Sequence, residues 1–201
     1  MTSLRVAATH PRCTVLGPGT RFAIWVQGCP LRCRECVSPQ WIPTAGGADT
    51  PVDELAGRVA EEAADGLTIS GGEPFAQAEA VARLIERVRE RRDLSVLCYT
   101  GFTLERLRRH ATVAQERLLG LLDLLIDGPY LVERHADLLW RGSANQRIHL
   151  LSDRHAGLAV DGAGVGLQFE IGAAGSLTWL GVPPTPGFRG KLEKALGMAA
   201  P

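Results

Sequence analysis

Cys29, Cys33 and Cys36 stand within eight residues of one another in "VQGCPLRCRECVSPQW", and they are three of the chain's five cysteines. Three thiolates at C-x3-C-x2-C spacing on one loop can point inward around a shared centre. Structural zinc asks for a fourth protein ligand, usually from a second close Cys or His pair. Cys13, Cys98 and the five scattered histidines form no such pair. An iron–sulfur cube also has four irons to ligate. With three held by protein, the fourth iron is open to an incoming molecule. An odd number of cysteines at close spacing points to a metal group rather than to disulfides.

A second stretch, "SGGEPF", has donor and acceptor chemistry of its own. Gly71 and Gly72 let the backbone approach a ligand closely, and carbonyls there, with the Glu73 carboxylate, can accept from an ammonium group. Pro74 also suits the first position of a helix after a strand, so a turn and a site are compatible in these residues. Asp127 in "IDGPY" ends a later apolar run, either as a cofactor or cation ligand or as the head of an Asx-turn. "RGSANQR" gathers Arg141, Ser143, Asn145, Gln146 and Arg147 in one polar run. No His or carboxylate dyad stands out as a catalytic acid–base pair.

The elements that must position these residues alternate between strand and helix. "RFAIWVQ", "GLTIS", "LSVLCYT" and "LDLLID" read as strands, with "RIHLL" as one more. Thr50, Pro51 and Asp53 read as an N-cap, a first-turn proline and a capping-box acid, opening a helix that runs to about Ala64. Val81, Leu84, Ile85 and Val88 recur at helical spacing, with arginines on the other face. "TLERLRRH" and "ATVAQERLLG" read as two further helices. This alternation predicts an α/β fold with right-handed crossovers and a parallel sheet. The candidate residues fall at the strands' C-terminal ends, where such sheets carry their sites. Toward the end, "LQFEI" and "SLTWLG" flank "GAAG" as a β-hairpin, followed by the rigid strap "VPPTPGF". "VDGAGVG" reads as a flexible connection, not a phosphate loop, because no strand-to-helix context surrounds it.

Composition narrows the function classes. The 201 residues are enough for one domain with a small appendix. The formal net charge is zero, so no global field recruits nucleic acid or an anionic membrane. The N-terminus lacks the apolar core of a signal peptide. The run "LLGLLDLLIDG" is too short for a bilayer and carries Asp123 and Asp127. These features predict a cytoplasmic protein with neither nucleic acid nor membrane as a partner.

Taken together, "GPGTRFAIWVQGCPLRCRECVSPQW", "SGGEPF", "CYTGFTLERL" and "RGSANQR" resemble the radical S-adenosylmethionine superfamily, in particular the small activating enzymes for glycyl radical proteins. The resemblance spans roughly residues 13 to 150 and implies an incomplete (β/α) barrel, here with a C-terminal β-hairpin extension. It divides the chain into a core over 1–160 and a hairpin with its proline-rich strap over 161–201, packed on that core. It implies that Cys29, Cys33 and Cys36 bind a 4Fe–4S cluster whose open iron is chelated by S-adenosylmethionine. Gly71, Gly72, Glu73 and Pro74 would serve the methionine amino group, with Thr100, Gly101 and Asp127 as further cofactor residues. The implied chemistry is reductive cleavage to a 5′-deoxyadenosyl radical, which needs no acid–base pair. The implied partners are a glycyl radical enzyme and a low-potential electron donor of the flavodoxin or ferredoxin type. The alternative is a radical enzyme acting on a small molecule or peptide, for example a 7-carboxy-7-deazaguanine synthase-like ring contraction. One departure stands out: many superfamily members carry an aromatic residue before the third cysteine, to meet adenine, and this chain has Glu35. With only Cys13 and Cys98 left over, a second cluster is not expected.

Overall fold

The computed structural model describes residues 2–173 and 175–197. In chain order the elements are β1 (Ser3–Cys13), β2 (Arg21–Val26), β3 (Ala48–Pro51), α1 (Val52–Glu61), β4 (Gly66–Gly71), α2 (Ala78–Arg89), β5 (Ser95–Tyr99), α3 (Leu104–His110), α4 (Val113–Gly120) and β6 (Leu124–Asp127). They continue with β7 (His135–Leu138), β8 (Arg141–Ser143), β9 (Arg147–Leu150), β10 (Leu167–Ile171), β11 (Leu177–Gly181) and α5 (Phe188–Ala195).

A seven-stranded sheet, ordered β3-β1-β2-β4-β5-β6-β9, carries the fold. Its centre, β2-β4-β5-β6, is parallel. Its flanks are antiparallel, β1 against both β2 and β3 on one side and β9 against β6 on the other. The mixed α/β class therefore holds, but the sheet is not parallel throughout. The reason lies in the connections. A parallel neighbour needs a crossover of a dozen or more residues, usually a helix. The link between β1 and β2 is only residues 14–20, so β2 turns back beside β1. Among the described residues the sheet does not close into a barrel.

The central strands are apolar on both faces because both are covered. Ile24, Val26, Leu67, Ile69, Val96, Cys98 and Leu125 face the helices and pack with Val81, Leu84, Ile85 and Val88 of α2. The i, i+3, i+4, i+7 spacing of those four residues places them on one stripe of the helix. On its outer side Arg87 pairs with Asp53 of α1 at 2.9 Å and Glu79 with Arg117 of α4 at 2.9 Å. The first helix begins one residue later than the sequence reading, and ends at Glu61. Thr50 lies in β3, the cap position is Pro51 without a side-chain bond, and α1 starts at Val52. The capping box falls instead on α4, where Thr112 and Gln115 exchange bonds.

The other sheet face carries Ala23, Trp25, Leu97, Leu124 and Ile126. At the strands' N-terminal ends this face encloses Arg21, which is fully buried. Its guanidinium donates to Thr68 Oγ1 (3.0 Å), Ser95 Oγ (3.1 Å), Leu67 O (2.7 Å) and Ser95 O (3.1 Å). Burial lowers its pKa to about 10. At the opposite ends the face opens into a cavity.

Strands β10 and β11 pair antiparallel, and the hairpin leans on the end of β1. Gln168 Nε2 donates to Arg12 O (2.9 Å), Gln168 Oε1 accepts from Thr14 N–H (2.9 Å), and His10 pairs with Glu170 at 2.8 Å. Leu180 is buried among Cys13, Val15, Leu16 and Trp25. The glycine-rich stretch before the hairpin is tied to β7: Leu139 N–H donates to Gly162 O (2.9 Å) and Gly164 N–H to Asp137 O (3.3 Å). No helix among the described residues is long and apolar enough to cross a membrane.

Candidate metal and cofactor site

The cysteine loop hangs from the end of β2 with its base stitched shut. Gly28, at φ +95°, donates its N–H to Trp41 O (2.9 Å), and Cys29 N–H donates to Ile42 O (2.9 Å). Gln27 reinforces the closure. Its buried Nε2 donates to Pro43 O (2.8 Å), with Gln40 O and Ala45 O each at 3.2 Å. Within the loop, Cys36 N–H donates to Cys33 O (3.3 Å) and Ser38 N–H to Cys36 Sγ (3.5 Å). Arg32 and Glu35 hold left-handed φ angles of 47° and 53°. Such strain costs about 1–2 kcal/mol per non-glycine residue, and it steers the loop around Cys33.

All three cysteines line one cavity of about 400 Å³. Burial raises the Cys33 and Cys36 thiols above their ordinary pKa, and the neighbouring sulfurs add to the rise. No three His, Cys, Asp or Glu side chains among the described residues enclose a single metal ion. Three separated thiols around a shared cavity fit a larger group, in which each sulfur ligates a different iron. Cys13 and Cys98 are fully buried on opposite faces of the sheet, away from this loop.

The "SGGEP" turn abuts the base of the cysteine loop. Gly72 N–H donates to Val26 O (2.7 Å) and Glu73 N–H to Gly28 O (2.9 Å). A Cβ on Gly72 would fall 2.3 Å from Gly28 O and 2.9 Å from Trp41 O. The glycine is thus demanded by protein backbone as well as by any ligand. Glu73, 1 % exposed, joins this turn to the end of β5. Its Oε1 accepts from Phe75 N–H (2.9 Å) and the Thr100 hydroxyl (2.8 Å), and its Oε2 from Gly101 N–H (2.9 Å). Burial outweighs those donors and raises the carboxyl to about 6.

Of the sequence-predicted residues, Gly71, Gly72, Glu73, Thr100 and Gly101 line the cavity with the cysteines, whereas Pro74 and Asp127 do not. Pro74 opens a 3-10 turn behind it. Asp127 accepts from Leu104 N–H (2.6 Å) at the start of α3 and faces His149 Nε2 at 3.1 Å. The polar run contributes Gly142 and Gln146 to the wall. Gln146 is held by its own loop, accepting from Gly142 N–H (2.9 Å) and donating to Gly128 O (3.1 Å).

Sequence reasoning missed several lining residues. Trp25 and Trp41 lie 5.5 Å apart between ring centroids, and Tyr99 and Trp140 also line the cavity. Trp179 and Arg189 enter from β11 and α5, the guanidinium 5.0 Å from the indole centroid. Aromatic residues at strand ends are a weak signal on their own, because they serve the core equally well.

Residues 15–149 match the model of the 4Fe-4S single cluster domain family. The chain belongs to that family: it is an iron–sulfur protein of the radical S-adenosylmethionine type. Its relatives carry a particular name. The anaerobic ribonucleoside-triphosphate reductase-activating protein of Vibrio cholerae is 37% identical over 152 residues, 70% of this chain and 94% of the relative. That of Haemophilus influenzae is 34% identical over 151 residues, 70% and 94%, and that of Enterobacteria phage T4 is 32% identical over 145 residues, 69% and 89%. The hairpin and α5 lie outside the residues the family model matches, yet they wall the same cavity.

Proposed function

We propose that this protein activates a glycyl radical enzyme, with a 4Fe–4S cluster and S-adenosylmethionine seated together in the cavity. The observation that supports this most is the meeting of Cys29, Cys33 and Cys36 with the Gly71–Gly72–Glu73 turn on one cavity wall. A 4Fe–4S cluster held by Cys29, Cys33 and Cys36 would supply the single electron for reductive cleavage of S-adenosylmethionine, the radical chemistry needed to take a hydrogen atom from a target glycine.

Cys29, Cys33 and Cys36 would hold the cluster and leave it open to the cofactor's amino and carboxylate groups. Carbonyls of the glycine turn and the Glu73 carboxylate receive the ammonium group. Thr100 and Gly101 fix that carboxylate in place. Trp25, Trp41 and Leu180 keep water from the reacting centre. No side chain has to move a proton. The family's incomplete barrel, spanning 1–160 and left open at one side, would admit a folded partner's loop, with 161–201 packed beside the opening. The electron comes from a low-potential flavodoxin or ferredoxin in the cytoplasm, and no nucleic acid or membrane is involved. The small-molecule alternative has no support among the relatives described, which are all named as activating proteins.

The test combines reduced protein, S-adenosylmethionine and an anaerobic ribonucleotide reductase. The expected result is faster 5′-deoxyadenosine release and a stable glycine-centred signal by electron paramagnetic resonance. Turnover of a free small molecule with no such signal would overturn the reading.

A further inference from the structure

Strand β11 turns one of its edges to the cavity. Every residue over 177–182 lines the cavity, whereas no residue of β10 does. Consecutive residues of a strand point to opposite faces. On one face Leu180 packs with Cys13, Val15 and Leu16. On the other, Trp179 meets Phe188 of α5 at 5.8 Å between ring centroids. A cavity that touches both kinds in succession, with β10 behind them, meets the strand edge-on.

That edge has no partner. Strands β10 and β11 form a two-stranded sheet of their own. Among the described residues, no hydrogen bond joins the main chain of β11 to anything but β10. Gly172 N–H donates to Ser176 O (2.8 Å). In the observed register the ladder bonds then belong to the pairs Glu170↔Thr178 and Gln168↔Leu180. Leu177 and Trp179 therefore turn their N–H and C=O groups away from β10, to the cavity side. Natural sheets blunt such an edge with charges, prolines or bulges. Strand β11 reads LTWLG, with no charge and no proline, and the first prolines follow at Pro183 and Pro184. An unguarded edge in the cavity that holds the three cysteines is a template for one more strand.

The chemistry of the target names that strand. A glycine offers no side chain to grip, so its segment has to be held largely by its main chain. Pairing along a sheet edge does this whatever the sequence. Leu177–Gly181, at about 3.4 Å per residue, gives about 17 Å of edge. Leu177 and Trp179 alone bring two donors and two acceptors to it.

We propose that the edge of β11 receives the glycine-bearing segment of the target protein as an added strand, held by main-chain hydrogen bonds along the cavity that contains the cysteines. This rests on the activating role proposed above, and it gives the C-terminal hairpin its part in that role.

The test uses reconstituted protein, S-adenosylmethionine and an anaerobic ribonucleotide reductase, with a short synthetic peptide carrying the reductase's target glycine as competitor. Competition is read as loss of the glycine-centred electron paramagnetic resonance signal on the reductase. The peptide is then N-methylated at one position at a time, each methyl removing one donor. Methylation at every second residue of the paired stretch should weaken competition about three- to tenfold, as for one lost neutral hydrogen bond, and methylation in between should have little effect. On the protein, Leu177→Pro removes an outward donor where an edge strand tolerates proline, and should weaken the unmodified peptide by a similar factor. Leu177→Ala keeps that donor and should bind the peptide as wild type does. If Leu177→Pro fails to take up iron, the peptide series alone decides. A peptide that does not compete while the reductase is activated, losses without a two-residue period, or equal effects of two iron-loaded Leu177 variants overturn the assignment. If wild type raises no glycine-centred signal on the reductase, the activating role itself fails, and the added strand with it.

Discussion

Thr100→Val probes the joint between the "SGGEP" turn and the end of β5. The Thr100 hydroxyl donates to Glu73 Oε1 at 2.8 Å and accepts from Phe102 N–H at 3.1 Å. Valine keeps the shape and removes both bonds. At pH 7.5, above the Glu73 pKa of about 6, the first bond is made to a buried charge and is worth about 1.5–3 kcal/mol. The stranded Phe102 N–H adds about 1 kcal/mol, so the variant should lose about 2.5–4 kcal/mol. At pH 5 the carboxyl is protonated, the same bond is neutral and worth about 0.5–1.5 kcal/mol, and the loss should shrink by about 1 kcal/mol or more. Urea unfolding of apoprotein at the two pH values measures both losses. Equal losses at pH 5 and pH 7.5 would refute the argument that an ionised, buried Glu73 holds the two loops together.

Glu73 should also leave its own mark on the pH dependence. Its carboxyl titrates near 6 in the folded protein against an ordinary 4.5, so the folded state binds that proton more tightly. The resulting stability is complete below pH 4.5 and is lost as pH rises through about 6, by roughly 2 kcal/mol; Glu73→Gln should flatten this part of the profile. Alanine at Cys29, Cys33 or Cys36 should abolish reconstitution to about four irons per chain, whereas Cys13→Ala and Cys98→Ala should keep the iron; iron and sulfide analysis decides it. Asp127→Ala should cost about 1–2 kcal/mol of stability by removing the acceptor of the buried Leu104 N–H at the start of α3 and leave S-adenosylmethionine affinity unchanged by calorimetry. A fall in affinity without a fall in stability would place Asp127 at the cofactor instead.

What could be read from the chain was whatever is local. The cysteine spacing, the glycine–glycine–glutamate turn and the apolar runs of β2, β4, β5 and β6 are short-range patterns, and each marks one element or one loop. Partnerships across the sheet were not legible. Glu73 spends its carboxylate on residues 27 and 28 positions further on, and no spacing rule announces that. Asp127 could be read as a ligand or as a turn residue, and its bond to Leu104 N–H, 23 positions back, matches no local rule. Strand β1, buried only at Leu4, Val6 and Cys13, is too mixed in pattern to stand out before its partners are known. The left-handed Trp140 carries no signal at all, because tryptophan is not a residue that advertises that conformation.

Arg21 has a bearing on how the sheet assembles. From β2 its guanidinium draws acceptors from two further parallel strands at once: the neighbour β4 through Thr68 and Leu67, and β5 through Ser95. Pairing β2 with β4 alone would leave part of the charge without acceptors, and a one-residue slip of β2 would turn the side chain to the helix face. An incompletely satisfied charge in a dry interior is heavily penalised. The three strands therefore behave as one cooperative unit that forms or opens together. The cysteine loop and the glycine turn, which hang from the far ends of two of those strands, take their relative height from a charge buried at the other end of the sheet.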